Sequence, residues 1–148
     1  MGYLTDELDD LDYLRIDLPA DTKLTGILMQ KFDGIDQTGF IGIQAGQIFT
    51  FPADQAFSMI GAMLGWTHFG PGNGDGIGDN LLPHLGQGGE AIGFSGPLTG
   101  SSYTLWIQQT GYPTNYQLDF LVAPVPEPAT LPLALVGLLL VAIGRYAR

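Results

Sequence analysis

Ser102-Tyr-Thr-Leu-Trp-Ile-Gln-Gln109 and, after a short break, Tyr116-Gln-Leu-Asp-Phe-Leu-Val122 are the stretches that decide the fold. Both alternate. Tyr103, Leu105 and Ile107 share one face of the first, and Tyr116, Leu118, Phe120 and Val122 share one face of the second. A side-chain period of two is the signature of a half-buried strand. Thr110 to Thr114 between them reads as a hairpin loop. The same alternation sends Trp106 to the face opposite Leu105, toward solvent or a covering strand.

Working outward, the pattern recurs. Leu14, Ile16 and Leu18 alternate with Tyr13, Arg15 and Asp17, and Leu24 to Phe32 reads as a second strand after the turn at Pro19 to Thr22. Asp33-Gly34 is a turn signal. Phe40 to Gln44 and Gln47 to Phe51 read as a hairpin about Ala45-Gly46, and Ala62 to His68 and Ala91 to Ser95 read as further strands. Gly70 to Gly89 is a glycine-rich loop, and Pro97 to Ser101 a turn. Short strands separated by Gly/Pro turns predict an all-β fold, an antiparallel sandwich or jelly roll over residues 1–122.

Composition agrees. The 148 residues include 22 glycines and 10 prolines, only 14% are charged, and the formal net charge is −10. With five basic residues there is no basic face for nucleic acid. The acidic surface favours solubility and attracts cations. Without cysteine there is neither disulfide nor thiol chemistry.

Residues 123–148 are of a different kind. Pro126-Glu127-Pro128 is stiff and extended, because each proline fixes φ and displaces the residue before it from the α region. Leu131 to Gly144 then carries no charge and no polar side chain, and Arg145 and Arg148 close the chain. That run spans about 21 Å as a helix against a hydrocarbon core of roughly 30 Å. A helix over about 129–147 reaches across, with Arg145 snorkelling and Tyr146 at the interface. The arginines stay cytoplasmic, so everything before Pro126 faces away from the cytoplasm.

Val125-Pro126-Glu127-Pro128-Ala129, the apolar span, Arg145 and Arg148 together resemble a PEP-CTERM sorting signal. This tail, also known as the C-terminal domain of ice-binding proteins, belongs to exported proteins of Gram-negative bacteria. The resemblance implies recognition and processing by an exosortase near the Pro-Glu-Pro motif. It implies anchorage in the inner membrane with the domain in the periplasm, and then delivery to the cell surface or extracellular matrix. Upstream, Asp10-Leu-Asp12-Tyr13, Ser101-Ser-Tyr103-Thr-Leu105 and Tyr116-Gln-Leu118 resemble the pre-peptidase C-terminal type of β-sandwich, with Ser101 where that pattern favours glycine. That resemblance implies an accessory exported module and carries over no catalytic residue. Met1 to Asp10 has neither a basic nor an apolar region of a signal peptide. A sorting tail needs export, so the expectation is that the domain's true N-terminus lies further upstream.

Candidate chemistry is sparse. Gly93-Phe-Ser95-Gly96-Pro97 fails the nucleophile elbow, since Pro97 replaces its second glycine. His68 and His84 have no visible partners at zinc or general-base spacing, and the scattered carboxylates define no glycosidase pair. The chain reads as a non-enzyme that requires no cofactor.

Asn73-Gly-Asp75-Gly-Ile-Gly-Asp79 places oxygen side chains among glycines, as hard cations require, and resembles thrombospondin type-3 calcium repeats at Asn73, Asp75 and Asp79. It departs from them at Pro71, and no acid closes the loop. The competing reading is a glycine-rich loop with solvated aspartates. Trp66, Trp106 and Tyr112 could stack on sugar rings, with exopolysaccharide as the partner; coverage of a second apolar surface competes with that reading.

Overall fold

The computed structural model describes residues 11–35, 37–50, 60–109 and 114–127. Met1 to Asp10, the candidate Tyr112 and the predicted membrane helix at 129–147 lie outside them. Among the described residues no helix is long and apolar enough to cross a membrane.

The fold is all-β and antiparallel. Its strands are β1 (Leu11–Asp17), β2 (Thr22–Asp33), β3 (Gly39–Ala45), β4 (Gly65–Phe69), β5 (Leu98–Thr99), β6 (Ser102–Gln109) and β7 (Asn115–Pro124). One sheet runs β1-β6-β3-β4 and the other β5-β2-β7. In the first, β6 pairs Leu105 with Leu14 on one side and with Ile43 on the other. In the second, β2 and β7 pair along nearly their whole length, with irregularities between Leu24 and Gly26 and between Met29 and Lys31. Among the described residues helical structure is short: 3₁₀ turns at 60–62 and Pro71–Asn73 and one α-turn, α1, at Leu82–Leu85.

The alternation read in the sequence is what joins the sheets. Tyr103, Leu105 and Ile107 of β6 and Ile41 and Ile43 of β3 meet Leu24, Ile27 and Met29 of β2 in one apolar layer, with Tyr116, Leu118 and Phe120 of β7 packed against it. The arrangement is sandwich-like. Leu81, Leu82 and Leu85 close one flank of this layer, so the glycine-rich stretch contributes core residues. The buried set on β7 stops at Phe120: Val122, assigned inward by alternation, is 58% exposed. Leu14 of β1 is also exposed, at the rim of a cleft of about 310 Å3 between β1, Ile107 and β7.

Two expected strands are replaced. Residues 46–50 bend instead of pairing with Phe40 to Gln44. Both edges of β3 are already occupied, by β6 from Gly39 to Ala45 and by β4 from Gly39 to Ile43. Residues 91–95 run irregularly, because Gly93 has φ 81 and the segment is tied to Met63, Leu64 and Gly86. The strand expected at 62–68 begins at Gly65, after a 3₁₀ turn, and ends at Phe69.

The outer face of the four-stranded sheet carries a second apolar layer. Trp106, Phe40 and Met63 are buried there, with Leu11, Phe49, Ile60 and Trp66 packed around them. Trp106 faces away from Leu105 as alternation requires, and 60–63 and Phe49 cover it. Its exposure is 0%, so it offers no surface to a sugar. Of the two readings of this tryptophan, coverage is the one realised.

Candidate functional site

The stretch from Gly70 to Gly88 is the most elaborately built part of the molecule, and its glycines are there for close approach. A Cβ on Gly65 would lie 2.0 Å from the Leu85 carbonyl oxygen, and one on Gly86 would lie 2.2 Å from that of Phe94. Real side chains cannot occupy such positions, so α1 seats backbone against backbone on the start of β4. The loop is also stitched to β2. Gly78 N–H donates to Met29 O at 2.7 Å, Met29 N–H to Asp79 O at 3.0 Å, and Leu81 N–H to Ile27 O at 2.8 Å. Residues 78–81 therefore extend the sheet along the β2 edge that β5 begins.

Asn80 makes that junction. Its Oδ1 accepts from Ile27 N–H at 3.0 Å and from Leu82 N–H at 3.1 Å, and its Nδ2 faces Thr25 O at 3.5 Å. One side chain thus satisfies a donor of β2 and a donor at the start of α1. The donors come from residues 53 positions apart and adjacent to the loop, so no local pattern in the sequence points to Asn80.

The three proposed calcium ligands are all in place, but they serve the loop itself. Asp75 is buried at 7% exposure. Its Oδ2 accepts from Gly70 N–H at 3.1 Å and from Asn73 Nδ2 at 3.3 Å, while its Oδ1 lies 3.8 Å from His84 Nδ1. Gly70 O accepts from Asp75 N–H in return, at 3.2 Å. Asn73 Nδ2 also donates to His68 O at 2.9 Å, an acceptor that only a nitrogen can meet, so the amide oxygen points elsewhere. Asp79 is exposed, and its Oδ2 caps Gly76 N–H at 2.7 Å. Calcium would have to compete with each of these bonds and turn Asn73 over. Among the described residues no group of three or more His, Cys, Asp or Glu is arranged to hold a metal ion.

Of the glycan candidates, Trp66 is half-buried. Its indole N–H donates to Gly89 O at 2.8 Å, and one ring face stacks on Phe40 with centroids 5.9 Å apart. His68 approaches it edge-on at 5.7 Å. Trp66 and the buried Trp106 belong to the same outer layer, so the structure does not bring them together as an open platform.

The sorting motif begins where β7 ends. Val125 N–H donates to Asp21 O at 2.7 Å, the last backbone bond of the sheet end. Pro126 and Glu127 beyond it are exposed. Pro128, Ala129, Arg145 and Arg148 lie outside the described residues.

The class defined by fold and surroundings is an all-β protein of two antiparallel sheets sharing one core, with an extended, exposed C-terminal exit. No protein-family model, no curated protein and no solved structure matches the chain.

Proposed function

We propose that this chain is an exported, membrane-tethered β-sandwich or jelly roll with no reaction of its own. Its C-terminal tail would be read by an exosortase, and its domain delivered through the periplasm to the cell surface or extracellular matrix. The observation that carries this reading is the hand-over at the end of β7. The core releases the chain at Val125, and Pro126 and Glu127 stand clear of it, exposed. A processing enzyme needs an extended, accessible segment, and a Pro-x-Pro segment stays extended without any hydrogen bond. The apolar run from Leu131 to Gly144, closed by Arg145 and Arg148, then parks the chain in the inner membrane with the domain outside the cytoplasm.

The test is intact-mass measurement after expression behind a signal peptide in an exosortase-bearing Gram-negative host. The expected mature protein lacks Leu131 to Arg148, and Glu127→Gln retains them. Wild-type protein recovered with its tail intact from that host refutes the processing reading.

A further inference from the structure

Asn73-Gly74 is the only place in the chain where an asparagine precedes a glycine; the other asparagines, Asn80 and Asn115, precede Leu81 and Tyr116. The backbone nitrogen of the following residue can attack an asparagine side chain and close a five-membered imide, which is why asparagine is chemically labile. Glycine in that place has no Cβ to obstruct the approach and reaches backbone conformations that other residues resist. Asn73 and Gly74 are both exposed, and even a Cβ built on Gly74 would meet nothing within 4 Å, so water surrounds the reacting pair.

The fold places a bond on each atom that this reaction needs. The attacking atom, Gly74 N, donates its proton to Pro71 O at 3.1 Å, at the end of the 3₁₀ turn Pro71–Asn73. The leaving atom, Asn73 Nδ2, donates to His68 O at 2.9 Å and to Asp75 Oδ2 at 3.3 Å. The ring closes only when Gly74 N gives up that proton and the side-chain amide turns its carbon to the nitrogen. Asp75 is itself pinned, buried at 7% exposure with its Oδ2 accepting from Gly70 N–H at 3.1 Å. Its hold on Asn73 therefore belongs to the fold.

We propose that Asn73 is a self-modification site, a deamidation centre whose co-reactant is water and whose rate is governed by Asp75 and the 3₁₀ turn. Hydroxide removes the Gly74 N–H proton, a bond forms from that nitrogen to Asn73 Cγ, and the Cγ–Nδ2 bond breaks. The nitrogen leaves as ammonia with a proton from water. Water then opens the imide at either carbonyl and leaves an aspartyl or isoaspartyl residue at 73; nothing is oxidised or reduced. The product has no N–H for His68 O. It also sets a carboxylate against Asp75, and like charges at that distance repel. Modification therefore loosens the turn from Gly70 to Asp75. None of this depends on the tether reading.

The test incubates full-length protein in detergent at mildly alkaline pH, folded and in concentrated urea, and follows each asparagine by peptide mass mapping. In urea Asn73 should convert ahead of Asn80 and Asn115. Two hydrogen bonds of ordinary net worth should slow its conversion in the folded protein by roughly tenfold. Asp75→Ala, with a melting curve to check its fold, should erase most of that difference, and Asn73→Asp should melt below wild type. Equal rates for folded and unfolded wild type refute the guarding bonds, a comparison that needs no variant to fold. Conversion of Asn73 no faster than that of Asn115 in urea refutes the site itself. A folded Asp75→Ala protein as slow as wild type overturns the role given to Asp75, and an Asn73→Asp protein as stable as wild type overturns the loosening.

Discussion

Replacing Asn80 with alanine tests whether the glycine-rich stretch is a built part of the fold. The substitution removes one oxygen and leaves two backbone donors, Ile27 N–H and Leu82 N–H, with no acceptor. Both belong to core residues, Ile27 at 0% and Leu82 at 3% exposure. An orphaned buried donor costs about 1–3 kcal/mol. The two bonds are only part-buried, so the lower half of that range applies to each, about 2–4 kcal/mol in sum. For a domain of this size each kcal/mol moves Tm by roughly 3–5 °C, which gives a drop on the order of 10 °C. Asn80→Asp keeps the acceptor and loses only the long contact to Thr25 O, so it should lose less than half as much. Thermal and urea unfolding of wild type and both variants decide the matter. An alanine variant within about 0.5 kcal/mol of wild type, or an aspartate variant as unstable as the alanine one, would refute the reasoning.

The calcium reading makes a contrasting prediction. Because Asp75 Oδ2 and Asp79 Oδ2 each accept from a backbone donor and the Asn73 amide nitrogen is turned toward Asp75, millimolar Ca2+ should leave Tm unchanged; a rise in wild type that Asp75→Ala abolishes would instead establish the site through mass action. The acid limb of stability offers another test. Hydrogen bonds from Arg15 and Ser102 hold the Asp17 carboxyl below its ordinary pKa of 3.8. A depressed folded-state pKa stabilises at pH values above the unfolded one, and the contribution is lost as pH falls through the folded value. NMR titration should find the Asp17 midpoint below 3.8, and Ser102→Ala should raise it; a midpoint unmoved by that change would show that the 2.6 Å hydroxyl contact does not act in solution.

What the sequence showed and what it concealed divide along physical lines. Strict alternation in Tyr103, Leu105 and Ile107 and in Leu118 and Phe120 identified inward faces, because a half-buried strand has few other ways to satisfy its side chains. The hairpin expected at 47–51 failed for a non-local reason: the edge it needed is held by β4 and β6. Residues 91–95 look apolar enough for a strand, but local composition does not show a left-handed Gly93 or the pull of Met63 and Leu64. Trp106 was ambiguous in the sequence because alternation assigns a face without saying what lies on it; Met63 and Phe49 decided that. The aspartates of the glycine-rich loop have the residue types a cation needs, yet whether their oxygens converge depends on Gly70 and Asn73 backbone geometry, which spacing alone does not fix.

The layout of the strands separates the two regions where chemistry could occur. Chain direction places the start of β7 beside the start of β1, where the Tyr116 hydroxyl donates to Asp12 at 2.5 Å, and its end beside the turn at Asp21. A strand of ten residues spans about 30 Å at roughly 3.3 Å per residue. The Pro-Glu-Pro exit and the Asp75 cluster therefore sit about that far apart, well past the distance at which substitutions usually act independently. The core between them is a single continuous layer. A folded variant altered at Asp75 should thus leave the exit segment exposed as in wild type. Removal of the tail should likewise leave the glycine-rich loop with every backbone bond it makes to β2.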